Sequence, residues 1–280
     1  MKTAKTTLDL RIVADCDALA RRALALFINT GRQAVEKRGR FCVAISRYTP
    51  AFFFKHLESV TLSKSLPADK IHLFWVDECC GCRHLESNNY KTSEHIIFRQ
   101  AGIPAENIHR ICSGNCNCSF AASIYEQTIY QVVGGGKNGV PQFDLIMLAM
   151  DADAHIASLF PDTYAFFDTR DIVRVIYFMD NRHTRITLTN TVLRSALKIA
   201  VLVSGAEKAG ILQEVLRSEP DEVKYPIHII WPILDRVTWL INRNAAGFVH
   251  GDGILKTIQP RNLQSGQINK RLWQVLESQA

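Results

Sequence analysis

The sequence predicts an α/β fold, a single domain built on a mostly parallel sheet with helices on both faces. Two observations carry this. Short apolar runs of strand length, bounded by polar residues, occur at FCVAIS (41–46), IHLFWV (71–76), FDLIMLA (143–149), IVRVIYFM (172–179) and KIAVLVS (198–204). Continuous runs of Val, Ile and Leu read as strands covered on both faces. Longer stretches with apolar residues at helical spacing alternate with them, and such alternation builds βαβ units. The sheet is therefore expected to be Rossmann-like.

Each element has its own signal. DALARRALALFINTGRQAVEKRG (17–39) has helical periodicity and a glycine stop. Thr49-Pro50 opens a further helix, with proline where a first turn accepts it. Residues 119–133 and 206–218 repeat the amphipathic pattern. No internal repeat or low-complexity tract interrupts the chain before about residue 247. Residues 1–247 are thus read as one domain and 248–280 as a C-terminal extension. The extension begins with turn residues and ends in a short amphipathic helix around Trp273, expected to dock on its own domain.

Composition narrows the function classes. The chain has 280 residues, 47% hydrophobic and 21% charged, enough for a sizeable core. Its net charge is +6, and its 33 basic residues are scattered rather than massed in a stripe. That argues against nucleic acid and suits anionic small molecules. No apolar run reaches the roughly 18 residues of a membrane span, and the N-terminus lacks an apolar core followed by a cleavage site. A cytoplasmic protein without a membrane partner is expected. Six of the eight cysteines fall in CCGC (79–82) and CSGNCNC (112–118). Cys79 and Cys82 have the gap that metal sites favour, but the second cluster lacks it. In a reducing compartment the expectation is independent thiols, with no disulfide and no metal. Cys16 and Cys42 read as core filler.

The chemistry is expected at strand ends, because parallel sheets bind ligands beyond the carboxyl ends of their strands. The run 143–149 is followed by Asp151, Asp153 and His155 within five residues. A structural reading makes the two carboxylates caps of the next helix and His155 a solvated first-turn residue. The other strand ends carry SRYTP (46–50), DECCGCRHLESNNY (77–90), RITLT (185–189) and VSGAEKA (203–209).

In order and spacing these segments resemble the 6-phosphogluconolactonase family, within the larger group that includes glucosamine-6-phosphate deaminase. The family pattern is G-G-S-T-P, D-E-R, G-x-D-G-H-x-A-S-L-F-P, R-I-T-L-T and G-A-x-K, and it is matched across roughly residues 15 to 247. HIASLFP (155–161) is its most specific part. The resemblance implies hydrolysis of a phosphorylated sugar lactone by water, with His155 as general base. An imidazole suits that role, since an ordinary pKa near 6.5 leaves it able to accept a proton at pH 7. Backbone N–H groups near a helix start are the expected oxyanion donors. Asp153 would orient His155, and Asp77 would contact water or sugar hydroxyls. Arg185 and Lys208 would hold the phosphate, together with the Ser46, Arg47 and Thr49 loop. No cofactor or metal is implied, and a monomer or homodimer is expected.

The departures fall on the site. Ser46 and Arg47 stand where the family has paired glycines, Tyr48 replaces a serine, and Cys79 replaces the arginine of D-E-R. Asp151 and Ala154 replace the glycines of G-x-D-G-H, and Asn242 stands where an aspartate is usual. Arg47 is expected to supply part of the lost phosphate grip. Besides an active lactonase, two readings stay open: a sugar-phosphate-binding protein without catalysis, and a deaminase-like isomerase. The isomerase needs a carboxylate soon after the histidine, where deaminases read A-F-N-E-P. This chain reads A-S-L-F-P.

Overall fold

The computed structural model describes residues 8–46, 66–81, 89–90, 101–112, 117–136, 138–161, 171–178 and 183–247. Among them a seven-stranded sheet runs in the order β1 (Asp9–Val13), β10 (Val237–Asn242), β9 (Ile199–Val203), β6 (Leu145–Ala149), β2 (Phe41–Ile45), β3 (Ile71–Trp75), β5 (Ile108–His109). Every neighbouring pair in it is parallel. The expected mostly parallel α/β architecture is what forms. β2 is buried along its whole length and β6 along all but its last residue. Full coverage is why these strands read as unbroken apolar runs instead of alternating ones.

Helix α1 (Cys16–Arg38) starts where Asp15 accepts a hydrogen bond from the Ala18 N–H and stops at Gly39, which adopts φ 73° and donates to the Val35 carbonyl. Its buried face includes Leu19, Ala23, Leu24, Phe27 and Ala34, the i, i+4 stripe expected of a helix lying on a sheet. Helix α2 (Cys118–Val132) is capped by Asn117. The Tyr125 hydroxyl of α2 donates to the Trp75 carbonyl at 2.7 Å and accepts from the Trp75 N–H at 2.9 Å, pinning the helix to the end of β3. Glu126, one residue on, accepts the N–H groups of Ile172 and Val173. Short helices α3 (Asn190–Ser195) and α4 (Ala209–Arg217) follow, the latter led by a 3₁₀ turn at Ala206–Lys208.

Three features correct the sequence reading. The run at 172–179 does not join the parallel sheet. Its strand β7 (Val173–Ile176) pairs antiparallel with β8 (Arg185–Leu188), which pairs antiparallel with β4 (Asp77–Cys79), forming a separate three-stranded sheet. RITLT, read as the tail of a strand, is thus itself mostly strand. Residues 151–160 form tight turns rather than a helix start, with a bridge between Ile156 and Leu159. Nor are the four clustered cysteines among the described residues free thiols. Cys80 and Cys118 form a disulfide that ties the end of β4 to the first residue of α2, and Cys79 and Cys112 are disulfide-bonded as well. Cys16 and Cys42 are free, Cys42 buried as core filler should be. Among the described residues no cluster of His, Cys, Asp and Glu is arranged to hold a metal, and no helix is long and apolar enough to cross a membrane. Arg47, Thr49, the helix expected at Thr49-Pro50, Cys82, Cys116 and the extension 248–280 lie outside the described residues.

Candidate functional site

The carboxyl ends of β2 and β6 are adjacent: the Ser46 N–H, just past β2, donates to the Met147 carbonyl of β6 at 2.9 Å. From β2 the chain proceeds to β3 on one side, whereas β6 leads to β9 on the other. A divergence of this kind opens a crevice at the sheet edge. There an open cavity of about 180 Å³ is lined by Ser46, Asp77, Asp151, His155, Phe160 and Arg185, among others.

His155 is fixed from several directions. Its Nδ1 lies 2.6 Å from Asp153 Oδ1, and the same oxygen accepts the His155 backbone N–H at 3.0 Å. An ionised carboxylate only accepts hydrogen bonds, so Nδ1 carries the proton and Nε2 is left as the basic nitrogen. Burial works to raise the Asp153 pKa, but the hydrogen bonds and charge of His155 outweigh it and hold the carboxyl below its ordinary value. The imidazole stacks on Phe160, ring centres 4.3 Å apart, and Phe160 meets Phe178 edge-on. The loop bends sharply to achieve this, with Ala154 at φ 64° and Ala157 at φ 56°. Both alanines sit in left-handed backbone that costs a residue with a Cβ about 1 kcal/mol or more. A glycine would adopt such backbone without that cost.

Asp77 and Arg185 come from facing strands of the small sheet. Asp77 is buried, and its Oδ2 accepts from the Ser158 hydroxyl at 2.6 Å and from Arg185 Nη2. Arg185 Nε also donates to the Ser158 hydroxyl. Three side chains from three segments thus brace one another at the cavity wall. Asn89 completes the brace, its amide donating to the Asp77 carbonyl at 2.6 Å. Glu78, next in sequence, turns away from the cavity and is 1% exposed; its carboxylate accepts the N–H groups of Cys79, Asn89 and Tyr90. Burial, with a smaller push from Asp77, raises its pKa to about 7 despite those three bonds.

Of the residues singled out from sequence, Ser46, Asp77, His155 and Arg185 line the cavity, and Asp153 supports His155. Lys208 reaches it indirectly, its ammonium 3.9 Å from an oxygen of the cavity-lining Asp151. Its turn begins at Gly205, with φ 106°, and the Gly205 N–H is accepted by the buried Asn242 side chain. Asn242 therefore serves as a loop anchor. Ser46 is 4% exposed, and its hydroxyl has no hydrogen-bond partner among the described residues. Sequence reasoning assigned no role to Ser158, Phe160, Glu78 or Asn89. The first two stand within HIASLFP, and that run was their available signal.

Chemically, the wall offers a base with a fixed tautomer, a braced guanidinium and a buried hydroxyl without a partner among the described residues. Comparison with known proteins points the same way. A family described as "Glucosamine-6-phosphate isomerases/6-phosphogluconolactonase" matches residues 14–239. A 6-phosphogluconolactonase of Nostoc sp. is 33% identical over 240 residues, covering 84% of this chain and 95% of that protein. One of Synechocystis sp. is 32% identical over 231 residues, covering 81% and 92%. The structure of a 6-phosphogluconolactonase from Trypanosoma cruzi superposes with a TM-score of 0.75 over 90% of this chain and all of that one, at 20% identity, a likeness of fold.

Proposed function

Because the chain belongs to the family of glucosamine-6-phosphate isomerases and 6-phosphogluconolactonases, we propose that its cavity hydrolyses 6-phosphogluconolactone to 6-phosphogluconate, a step of the pentose phosphate pathway. The observation that carries this reading is the Asp153–His155 pair at the cavity wall, 2.6 Å apart. It has the geometry of a general base held by an orienting carboxylate.

In this mechanism Nε2 of His155 takes a proton from a water molecule as its oxygen attacks the lactone carbonyl carbon. Charge gathers on the carbonyl oxygen. When the tetrahedral intermediate collapses, the bond from carbon to ring oxygen breaks, and the imidazolium returns the proton to that oxygen. The acid product then loses its own proton to solvent. A lactone is an activated ester, so orienting water and stabilising the oxyanion suffice, and no covalent nucleophile is needed. Asp153 keeps Nε2 basic and stabilises the imidazolium. Ser46 and Lys208 hold the substrate, with Arg47 and Thr49, which are close to Ser46 in sequence. Asp77 acts chiefly by setting Arg185, whose guanidinium faces the phosphorylated sugar. The reading takes the protein to be cytoplasmic, as a monomer or homodimer.

The decisive experiment supplies purified protein with freshly made 6-phosphogluconolactone and, separately, glucosamine 6-phosphate. Acid release well above the spontaneous rate, with no ketose formed from the amino sugar, is the expected result. Acid release at the spontaneous rate would reject the lactonase and leave a sugar-phosphate-binding protein.

A further inference from the structure

We propose that Asp151 sets the site's tolerance for negative charge, weakening its grip on the product, which carries a carboxylate besides its phosphate, more than on the lactone. The residue lies two positions past β6, and its backbone is locked to the catalytic loop. Its N–H donates to the His155 carbonyl at 3.2 Å, and its carbonyl accepts from Ala154 at 3.0 Å. The side chain therefore keeps a fixed place relative to His155, in the wall of the same cavity.

Its carboxylate differs from the other two acids beside the cavity. Asp77 is engaged by Ser158 and Arg185, and Asp153 by His155. Asp151 accepts the neighbouring Ala152 N–H at 2.9 Å and faces Lys208 across 3.9 Å, too far for a hydrogen bond. Its side chain is 38% exposed, whereas that of Lys208 is 13% exposed. The ammonium is thus the sheltered partner, and the carboxylate is the one presented to an incoming ligand.

An anion drawn towards Lys208 must approach this carboxylate. In a half-buried site, like charges a few ångströms apart are screened less than in bulk water. The penalty grows with the ligand's charge. A phosphorylated lactone carries charge on its phosphate alone, whereas hydrolysis adds a carboxylate where the carbonyl stood. Building on the lactone reading, Asp151 thus makes the product the worse ligand and favours its departure.

Asp151→Asn is the informative variant, because its amide oxygen can still accept the Ala152 N–H and keep the loop. Binding of 6-phosphogluconate, of inorganic phosphate and of gluconate is measured by calorimetry on parent, D151N and K208A, which requires no turnover. D151N is expected to bind 6-phosphogluconate about tenfold tighter, the order expected for removing one like charge about 5 Å away. The gain for gluconate, a single anion, is expected to be smaller. Lysine removal should weaken both phosphate-bearing ligands. In kinetics, the inhibition constant of the product should fall further than the KM for the lactone. Product binding unchanged or weakened in D151N overturns the proposal. Absence of lactone turnover in the parent enzyme would instead overturn the catalytic reading, while the calorimetry still decides the role of Asp151.

Discussion

One carboxylate oxygen of Asp153 serves both the ring and the backbone of His155, accepting from Nδ1 at 2.6 Å and from the peptide N–H at 3.0 Å. The two bonds do separable jobs, since the backbone bond shapes the loop and the ring bond chooses the tautomer. Asp153→Asn retains an oxygen for the backbone but can offer the ring an N–H, which favours the wrong tautomer. Turnover should fall by about 10²-fold or more, with KM nearly unchanged. His155→Ala should cost about 10²- to 10⁴-fold. Acid release at constant pH measures both, and a D153N enzyme as fast as the parent would remove the orienting role.

Ser46 gives a prediction of a different kind. Among the described residues its buried hydroxyl has no hydrogen bond to lose. Ser46→Ala should leave thermal stability unchanged or slightly raised while raising KM for the phosphorylated lactone about two- to tenfold, the range of one neutral hydrogen bond. An unchanged KM would mean that the hydroxyl does not meet the substrate.

A buried carboxyl and a half-buried imidazole give stability opposite slopes over nearly the same pH range. Glu78 has its pKa raised from 4.5 to about 7, chiefly by burial. The folded state holds that proton more tightly than the unfolded chain, so stability is lost as pH rises from about 4.5 to 7. His109, whose Nε2 lies 3.2 Å from Nδ1 of His72, has its pKa lowered to about 4 by burial and by the charge of His72. The unfolded chain takes up that proton first, so stability is lost as pH falls from about 6.5 to 4. In urea unfolding across pH 4 to 8, Glu78→Gln should therefore gain stability relative to the parent as pH rises from about 4.5 to 7, and His109→Gln should gain relative to the parent as pH falls from about 6.5 to 4. Parallel curves for parent and variants would contradict the assignment.

The Cys80–Cys118 bond closes a separation of 38 residues. Chain entropy makes such a link worth about 2 to 4 kcal/mol. The double variant Cys80→Ser/Cys118→Ser should unfold at correspondingly lower urea without reductant, and the gap should narrow once both proteins are reduced. Equal midpoints in the absence of reductant would show that the two thiols are not joined in the purified protein.

What could be read in advance depended on how local each signal was. His155 and Asp153 lie two residues apart on one loop, and the buried strands of the parallel sheet announce themselves as unbroken apolar runs. The brace of Asp77, Ser158 and Arg185 gave no comparable sign. Its contacts span 81 and 108 residues and depend on a second sheet that no local pattern separates from the first. β7 was recognised as a strand but placed in the wrong sheet, since period and composition say nothing about which neighbour a strand will take. β1 and β10 went unnoticed: the first carries charge at Asp9 and Arg11, and the second follows directly on a 3₁₀ stretch at Pro226–Arg236. With the cysteines, the assumed compartment overrode the clustering, and pairing cannot be deduced from spacing.

The placing of β10 between β1 and β9 also governs the order in which the molecule can be finished. Thr238 of β10 bonds to Asp9 of β1 across 229 positions of sequence. On a ribosome adding roughly 5 to 20 residues per second, the first strand waits some 10 to 45 s for its neighbour to be made. During that interval β1 has no partner in the sheet, and the edge of β9 stands open to any other strand that reaches it. The newborn chain is thus most vulnerable to mispairing just before residue 242 emerges, and a chaperone that shields an open strand edge would matter most then.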